Sequence, residues 1–252
     1  MAKALEGKVA LVTGAGKRIG RAIALAIGDE GGDVIVHYRD SFEEAEAVVA
    51  ALKEKNVRSW ALKADLEKPE EYSTLIKRAV DSAGRLDILV NNASIFQKDT
   101  LKDVTLESLK RHIEVNAWAP FSLIRDFARF SGRGKVVNLI DARVHGYDWA
   151  HVAYILSKHV LNELTKMSAI EFAPDIMING VSPGLILPPP GAEHGYIDRL
   201  KGTVPLKRHG SPADIADAVL YLLKSDFLTG TIIDVDGGRH LIEYQGGPHT
   251  DK

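Results

Sequence analysis

The chain of 252 residues contains no cysteine, which excludes disulfides, thiolate nucleophiles and zinc–thiolate centres. Its nine histidines follow no metal-ligand spacing such as H-E-x-x-H, so no metal is expected. Net charge is small: 32 basic against 34 acidic side chains leave −2, giving no long-range pull toward nucleic acid or an anionic membrane. No apolar run approaches membrane-spanning length, and the opening M-A-K-A-L-E-G-K has no signal-peptide core. The expected address is therefore the cytoplasm, with no membrane partner. No Pro/Ser-rich linker, internal repeat or shift in composition divides the chain, so one domain over 1–252 is expected, with 45% hydrophobic residues to fill its core.

Short apolar runs that read as buried parallel strands recur at 9–13, 34–38, 59–64, 88–91, 136–140, 177–181 and 231–235. Helical patterns at 18–28, 42–55, 70–83, 106–130, 152–172 and 212–223 lie between most of them. This alternation predicts an α/β, doubly wound parallel sheet, a Rossmann fold with helices on both faces. Ligands of such sheets bind beyond the carboxyl ends of the strands, and the unusual residues of this chain cluster there: Gly14 onward, Tyr38–Arg39, Asp65, 91–94, Asp141 and Pro183–Gly184. Residues 184–202 break the alternation with three consecutive prolines and several glycines, and read as a loop covering substrate. The polar tail 243–252 is expected to fray.

The first strand runs into T-G-A-G-K-R-I-G. Gly14, Gly16 and Gly20 would let the backbone approach a pyrophosphate at the N-terminus of the following helix. The second strand ends in H-Y-R-D, without the acid that would bind a ribose 2′-hydroxyl. Arg39, with Arg18 or Lys17, can instead pair with a 2′-phosphate, so NADPH is the expected cofactor. Arg39 also reads as a solvated loop residue beside Asp40. Asp65 reads equally as an acceptor for an adenine amino group and as a helix cap.

Tyr154 and Lys158 in Y-I-L-S-K are four residues apart, which on a helix stacks phenol and ammonium on one face. An unperturbed tyrosine ionises at about pH 10, and Lys158 is expected to lower that by favouring the phenolate. Asp141 lies thirteen residues earlier, after V-V-N-L-I; a cap or turn residue is its alternative reading.

These segments, with N-N-A-S at 91–94, Asn116 in V-N-A-W-A-P-F and S-P-G at 182–184, resemble the short-chain dehydrogenases/reductases over essentially the whole chain. Two departures point to one branch: Arg18 stands where the family has glycine, and Asp141 where it has a catalytic serine. With H-Y-R at 37–39, Phe96 after N-N-A-S, N-A-W-A-P at 116–120 and D-G-G-R-H-L at 236–241, the chain is most similar to pteridine reductases and bacterial dihydromonapterin reductases.

The resemblance implies Asp141, Tyr154, Lys158 and Asn116 as catalytic residues, with Asn116 supporting a water chain to the lysine; a helix kink held by its amide is the other reading. It places the cofactor on Gly14, Gly16, Lys17, Arg18, Ile19, Gly20, His37, Tyr38, Arg39, Asp65, Leu66, Asn92, Ala93, Ser94, Lys158, Pro183 and Gly184. A pterin-like substrate (dihydromonapterin, dihydrobiopterin or dihydrofolate) would meet Arg18, Ser94, Phe96, Asp141 and Tyr154, with Phe96 stacking on its ring or simply filling core. Tyr147 and Trp149 read either as pocket lining or as packing. A homotetramer is implied as well. Two rival readings remain: a generic NADPH-dependent carbonyl reductase, such as a 3-oxoacyl carrier-protein reductase, and a non-catalytic NADPH-binding regulator.

Overall fold

The structure, a computed structural model, describes residues 3–189, 191, 193 and 195–242. The expected fraying tail 243–252 lies outside the described residues. Strands β1 (Val9–Val12), β2 (Asp33–Tyr38), β3 (Ser59–Lys63), β4 (Ile88–Asn91), β5 (Gly134–Leu139), β6 (Ile176–Pro183) and β7 (Ile232–Val235) form one parallel sheet in the order β3-β2-β1-β4-β5-β6-β7. The helices are α1 (Arg18–Asp29), α2 (Phe42–Glu54), α3 (Pro69–Tyr72), α4 (Leu75–Ala83), α5 (Leu106–Ile113), α6 (Ala119–Ser131), α7 (Val152–Glu171), α8 (Tyr196–Leu200) and α9 (Pro212–Lys224).

Both faces of the sheet are covered, which is why its strands are apolar without alternation. Along β1, Ala10 and Val12 join a core with Ile23, Ile27, Leu52 and Val219, from α1, α2 and α9. Val9 and Leu11 point the other way, into a core with Leu75, Ile76, Leu123 and Phe127, from α4 and α6. The chain steps outward from β1 to β3 and then returns to β4 beside β1. That reversal opens a crevice at the carboxyl ends of β1 and β4.

Two helical patterns are interrupted. The pattern 70–83 is split into α3 and α4 around Ser73 and Thr74, and the Thr74 hydroxyl donates to the Glu71 carbonyl at 3.0 Å, a local bond that competes with helix propagation. The pattern 106–130 is split by a π-helical turn, Glu114–Trp118, carrying Asn116. The buried amide at its centre accepts from Ile95 N–H at 2.8 Å and donates to the Ile95 carbonyl at 3.0 Å and to Ser157 Oγ at 3.0 Å. The π turn thus clamps the irregular segment after β4 to α7. Among the described residues no helix is long and apolar enough to cross a membrane.

Candidate active site

The crevice is a cleft of about 850 Å³ running from the β1–α1 turn to Tyr154. The turn is shaped by contacts that leave no room for side chains. Gly14 has φ +63°, and a Cβ on Gly20 would stand 2.3 Å from the Gly14 carbonyl oxygen. Behind the turn, Thr13 Oγ1 accepts from Asn92 N–H at 2.9 Å and Ala93 N–H at 3.0 Å, and Asn92 Nδ2 donates to the Thr13 carbonyl at 2.8 Å. The strand-ending threonine therefore fixes N-N-A-S against the glycine turn. Sequence reasoning missed this role, although a β-branched hydroxyl at a strand end signals it.

His37 lines the cleft but uses both ring nitrogens on backbone: Nδ1 accepts from Gly14 N–H at 3.1 Å, and Nε2 donates to the Ala64 carbonyl at 3.0 Å. Burial pushes its pKa down to about 4, so the ring is neutral and ties the first turn to the end of β3. Gly16 is not among the lining residues. A Cβ there would stand 3.1 Å from Ser41 Oγ and 3.4 Å from Ala45 N, so the close approach of α2 itself favours glycine at this position.

No side chain caps the first turn of α1, which leaves its N–H groups available to an anion. Arg18 adopts φ 54°, the left-handed region, where the family has glycine, and its Nη2 donates to the Pro188 carbonyl of the 184–202 loop at 2.7 Å. Arg39 is about half exposed and meets Asp40 at 2.6 Å and Glu67 at 3.1 Å; Arg111 also binds Glu67. Asp65 Oδ1 accepts from Glu67 N–H at 3.0 Å in a local turn, but the N-cap of α3 is Lys68, so Asp65 is not the helix cap of its alternative reading. The cation at Arg39, the uncapped helix and the glycine cradle together fit a dinucleotide phosphate.

At the other end, Asp141 caps the 3-10 turn Ala142–His145. Its Oδ2 accepts from the Tyr154 hydroxyl at 2.8 Å and from Arg143 Nη2 at 2.9 Å, while Arg143 Nε donates to Oδ1 at 3.0 Å. Burial opposes ionisation of Asp141, but the adjacent Arg143 outweighs it and holds the carboxyl below its ordinary range. Lys158 donates to the Leu139 carbonyl at 2.7 Å and lies 5.8 Å from the Tyr154 ring centroid. Burial lowers its pKa to about 8.

The expected lowering of the Tyr154 pKa by Lys158 is not found. Burial first, and the Asp141 charge second, push the phenol well above its ordinary value, because its hydroxyl faces a carboxylate and the ammonium is turned to a carbonyl.

Phe96 stacks on His151 with centroids 4.0 Å apart and meets Tyr154 edge-on at 4.6 Å. Asn116 does not line the cleft; it acts from behind through Ile95 and Ser157. Lys17, Ile19, Tyr38, Leu66, Asn92, Ala93, Ser94, Pro183 and Gly184 all line the cleft. Gly184 is required by Asp236, whose Cβ would be 2.4 Å from an added methyl. Asp236 in turn binds Gly238 N–H and His240, which accounts for D-G-G-R-H-L. Ile186, Leu187, Pro189, Tyr196 and Leu200 of the 184–202 segment close one wall. Tyr147 and Trp149 do not line the cleft. They pack on each other at 5.8 Å, with Tyr147 exposed. Arg143 and His151 are lining residues that sequence reasoning did not identify.

The parallel sheet, the glycine turn and the Tyr-x-x-x-Lys helix define an oxidoreductase fold of one kind: the chain belongs to the short-chain dehydrogenase/reductase family. The family model described as enoyl-(acyl carrier protein) reductase matches residues 14–240. Among curated relatives, the 3-oxoacyl-[acyl-carrier-protein] reductase FabG of Staphylococcus epidermidis is 35% identical over 242 residues, covering 93% of this chain and 99% of the relative. Among solved structures, FolM alternative dihydrofolate reductase 1 from Brucella canis, complexed with NADP, superposes with a TM-score of 0.91 at 31% identity, covering 99% of this chain and 100% of that one. The Brucella suis protein of the same description, also in complex with NADP, gives 0.91 at 32% identity over 97% and 98% of the two chains.

Proposed function

We propose that the protein is an NADPH-dependent reductase that adds a hydride to the carbon and a proton to the nitrogen of a C=N bond in a dihydropterin-type substrate, with dihydromonapterin, dihydrobiopterin and dihydrofolate as the class. The carrying observation is the carboxylate of Asp141, beside Tyr154 in the cleft where the family has a serine. An ionised carboxylate only accepts hydrogen bonds. It suits a heterocycle rich in ring N–H and amino donors and is a poor partner for a carbonyl oxygen.

NADPH supplies the hydride. The turn at Gly14 and Gly20, with the N-terminus of α1, would hold its diphosphate with Ser94 alongside, and Arg39 would hold its 2′-phosphate. The two ion pairs of Arg39 are exposed and contribute only about 0–1 kcal/mol each, so a dianionic phosphate can displace them. Asp65 lies at the adenine end. At neutral pH Tyr154 keeps its proton, as a donor to substrate nitrogen must, and Lys158 stands one helical turn away to offset the phenolate left behind. Phe96, stacked on His151, lines the substrate end of the cleft, and Asn116 sets the segment carrying Ser94 and Phe96. On α7, Leu156, Val160, Met167 and Ile170 share one exposed face, which supports assembly into a homotetramer.

The likeness to 3-oxoacyl-[acyl-carrier-protein] reductase supports a second reading, reduction of a carbonyl substrate. NADPH consumption with dihydropterins, dihydrofolate, 3-oxoacyl thioesters and simple ketones separates the two. Turnover confined to the last two classes would overturn the pterin reading, and tight NADPH binding without turnover of any would favour a regulator. Tyr154→Phe is expected to lower kcat by about a hundredfold or more while NADPH titrates as in the wild type. Asp141→Ser is expected to depress pterin turnover and to admit weak carbonyl reduction; unchanged pterin kinetics in that variant would remove Asp141 from the reaction.

A further inference from the structure

The reaction as proposed makes no use of Arg143, yet this side chain is held from all sides. Its Nε and Nη2 grip both oxygens of Asp141, at 3.0 Å and 2.9 Å, its backbone N–H adds a bond to Oδ1 at 2.9 Å, and Nη1 binds Asp148. The guanidinium carbon lies 5.2 Å from the Phe96 ring centroid and 5.5 Å from that of Tyr154. Asp148 accepts in addition from the Ala150 N–H at 2.8 Å and pairs with His151 at 3.0 Å.

The charged and titratable groups facing Asp141 come from every element packed around it. Arg143 comes from the 3-10 turn, and Tyr154 and Lys158 from α7. Asp148 and His151 stand behind Arg143. The Lys158 ammonium is turned to the Leu139 carbonyl, so Arg143 is the cation bonded directly to the carboxylate.

A buried carboxyl group persists in one of two forms, protonated or paired. Protonated, Asp141 would be a donor and would compete with Tyr154 for acceptors. Paired, it is an acceptor toward which the phenol hydroxyl points. The fork also selects the oxygen: Oδ1 carries two N–H donors of Arg143 and Oδ2 one, so Oδ2 retains a lone pair for Tyr154.

We propose that Arg143 is a positioning residue for the proposed reduction, holding Asp141 as a charged acceptor with Oδ2 turned to the Tyr154 hydroxyl. The inference rests on the roles given above to Asp141 and Tyr154. It adds a requirement that the Tyr-Lys pair alone does not meet: when Tyr154 gives up its proton, a phenolate is left beside a carboxylate, and a cation bonded to that carboxylate offsets the repulsion.

The test compares Arg143→Met with Arg143→Lys. Losing the guanidinium raises the proton affinity of Asp141, so the acid limb of the kcat/KM profile moves up by about one pH unit or more in Arg143→Met, while NADPH affinity holds. Arg143→Lys keeps a cation without the fork, and a smaller shift in the same direction is expected. Infrared difference spectra of the ligand-free protein provide a readout that needs no substrate. At mildly acid pH, Arg143→Met should show a protonated-carboxyl band absent from the wild type and from Arg143→Met/Asp141→Asn.

If Arg143→Met does not fold, Arg143→Lys carries both measurements. Coincident acid limbs in wild type and variants, or no band that depends on Asp141, overturn the proposal and leave Arg143 a packing residue. An Asp141-dependent band in a protein that reduces no pterin would instead uphold the positioning of Asp141 and remove the pterin reading.

Discussion

A methyl group at residue 20 would lie 2.3 Å from the Gly14 carbonyl oxygen and 2.5 Å from Asn92 Nδ2, in a helix where alanine is intrinsically favoured. Helix propensity alone gives Gly→Ala a gain of about 1 kcal/mol, whereas forcing atoms into a packed site costs about 1–3 kcal/mol. The close neighbour here is backbone, which cannot swing aside, so the clash should win. Gly20→Ala is expected to lower Tm and to weaken NADPH binding by about tenfold, equivalent to about 1.4 kcal/mol. Thermal unfolding combined with an NADPH titration checks both; a Tm at or above that of the wild type would show that the turn has slack. At this scale the sequence was partly legible. Gly14, Gly20, Asp141 and Tyr154 were visible because their positions follow strands or share a helix face. The grip of Arg143 on Asp141 was not, since D-A-R-V-H reads as an ordinary turn and nothing in it says that the guanidinium folds back over a buried acid.

Helix α5, the π turn and α6 read in sequence as one helical pattern interrupted at Asn116, where a kink held by the amide is one reading, but the π form of Glu114–Trp118 has no periodic signature of its own. The strands were legible to within two residues at their starts because two-sided burial demands unbroken apolar runs. The π turn depends on tertiary partners, Ile95 and Ser157, that are 21 and 41 residues away in the chain. Asn116→Leu keeps much of the volume and removes the amide. The Ile95 N–H and carbonyl then lose their partner, at roughly 1–3 kcal/mol for each group left unsatisfied. A chain of this size loses roughly 2–4 °C of Tm per kcal/mol, so a drop of several degrees is expected. Turnover should fall too, because Ile95 sits between Ser94 and Phe96. Unchanged Tm and kcat in this variant would mean that the π turn does not set the segment after β4.

Across the whole molecule, His37 at the end of β2 joins the residues that follow β1 and β3, so its protonation couples global stability to the geometry of the cofactor turn. In the folded protein burial lowers its pKa from 6.5 to about 4. Between those values the unfolded chain binds a proton that the folded chain refuses. The contribution of His37 is therefore complete above pH 6.5 and is lost as pH falls to about 4, with a total of roughly 3 kcal/mol. Asp148, held down to about 2 from 3.8 against its own burial by His151 and Arg143, acts in a separate window, between 3.8 and 2. The two can be told apart by pH alone. Replacing His37 with glutamine supplies an acceptor for Gly14 N–H and a donor for the Ala64 carbonyl without a titrating ring. The wild type is expected to lose stability steeply from pH 6.5 to 4 in urea unfolding, and His37→Gln to lose much less over that range. The loss in the wild type should be partly reversed by NADPH, since a ligand bound to the folded turn adds stability by mass action. Parallel pH curves for the two proteins would mean that the proton enters elsewhere and that the sheet and the cofactor turn are not joined through this ring.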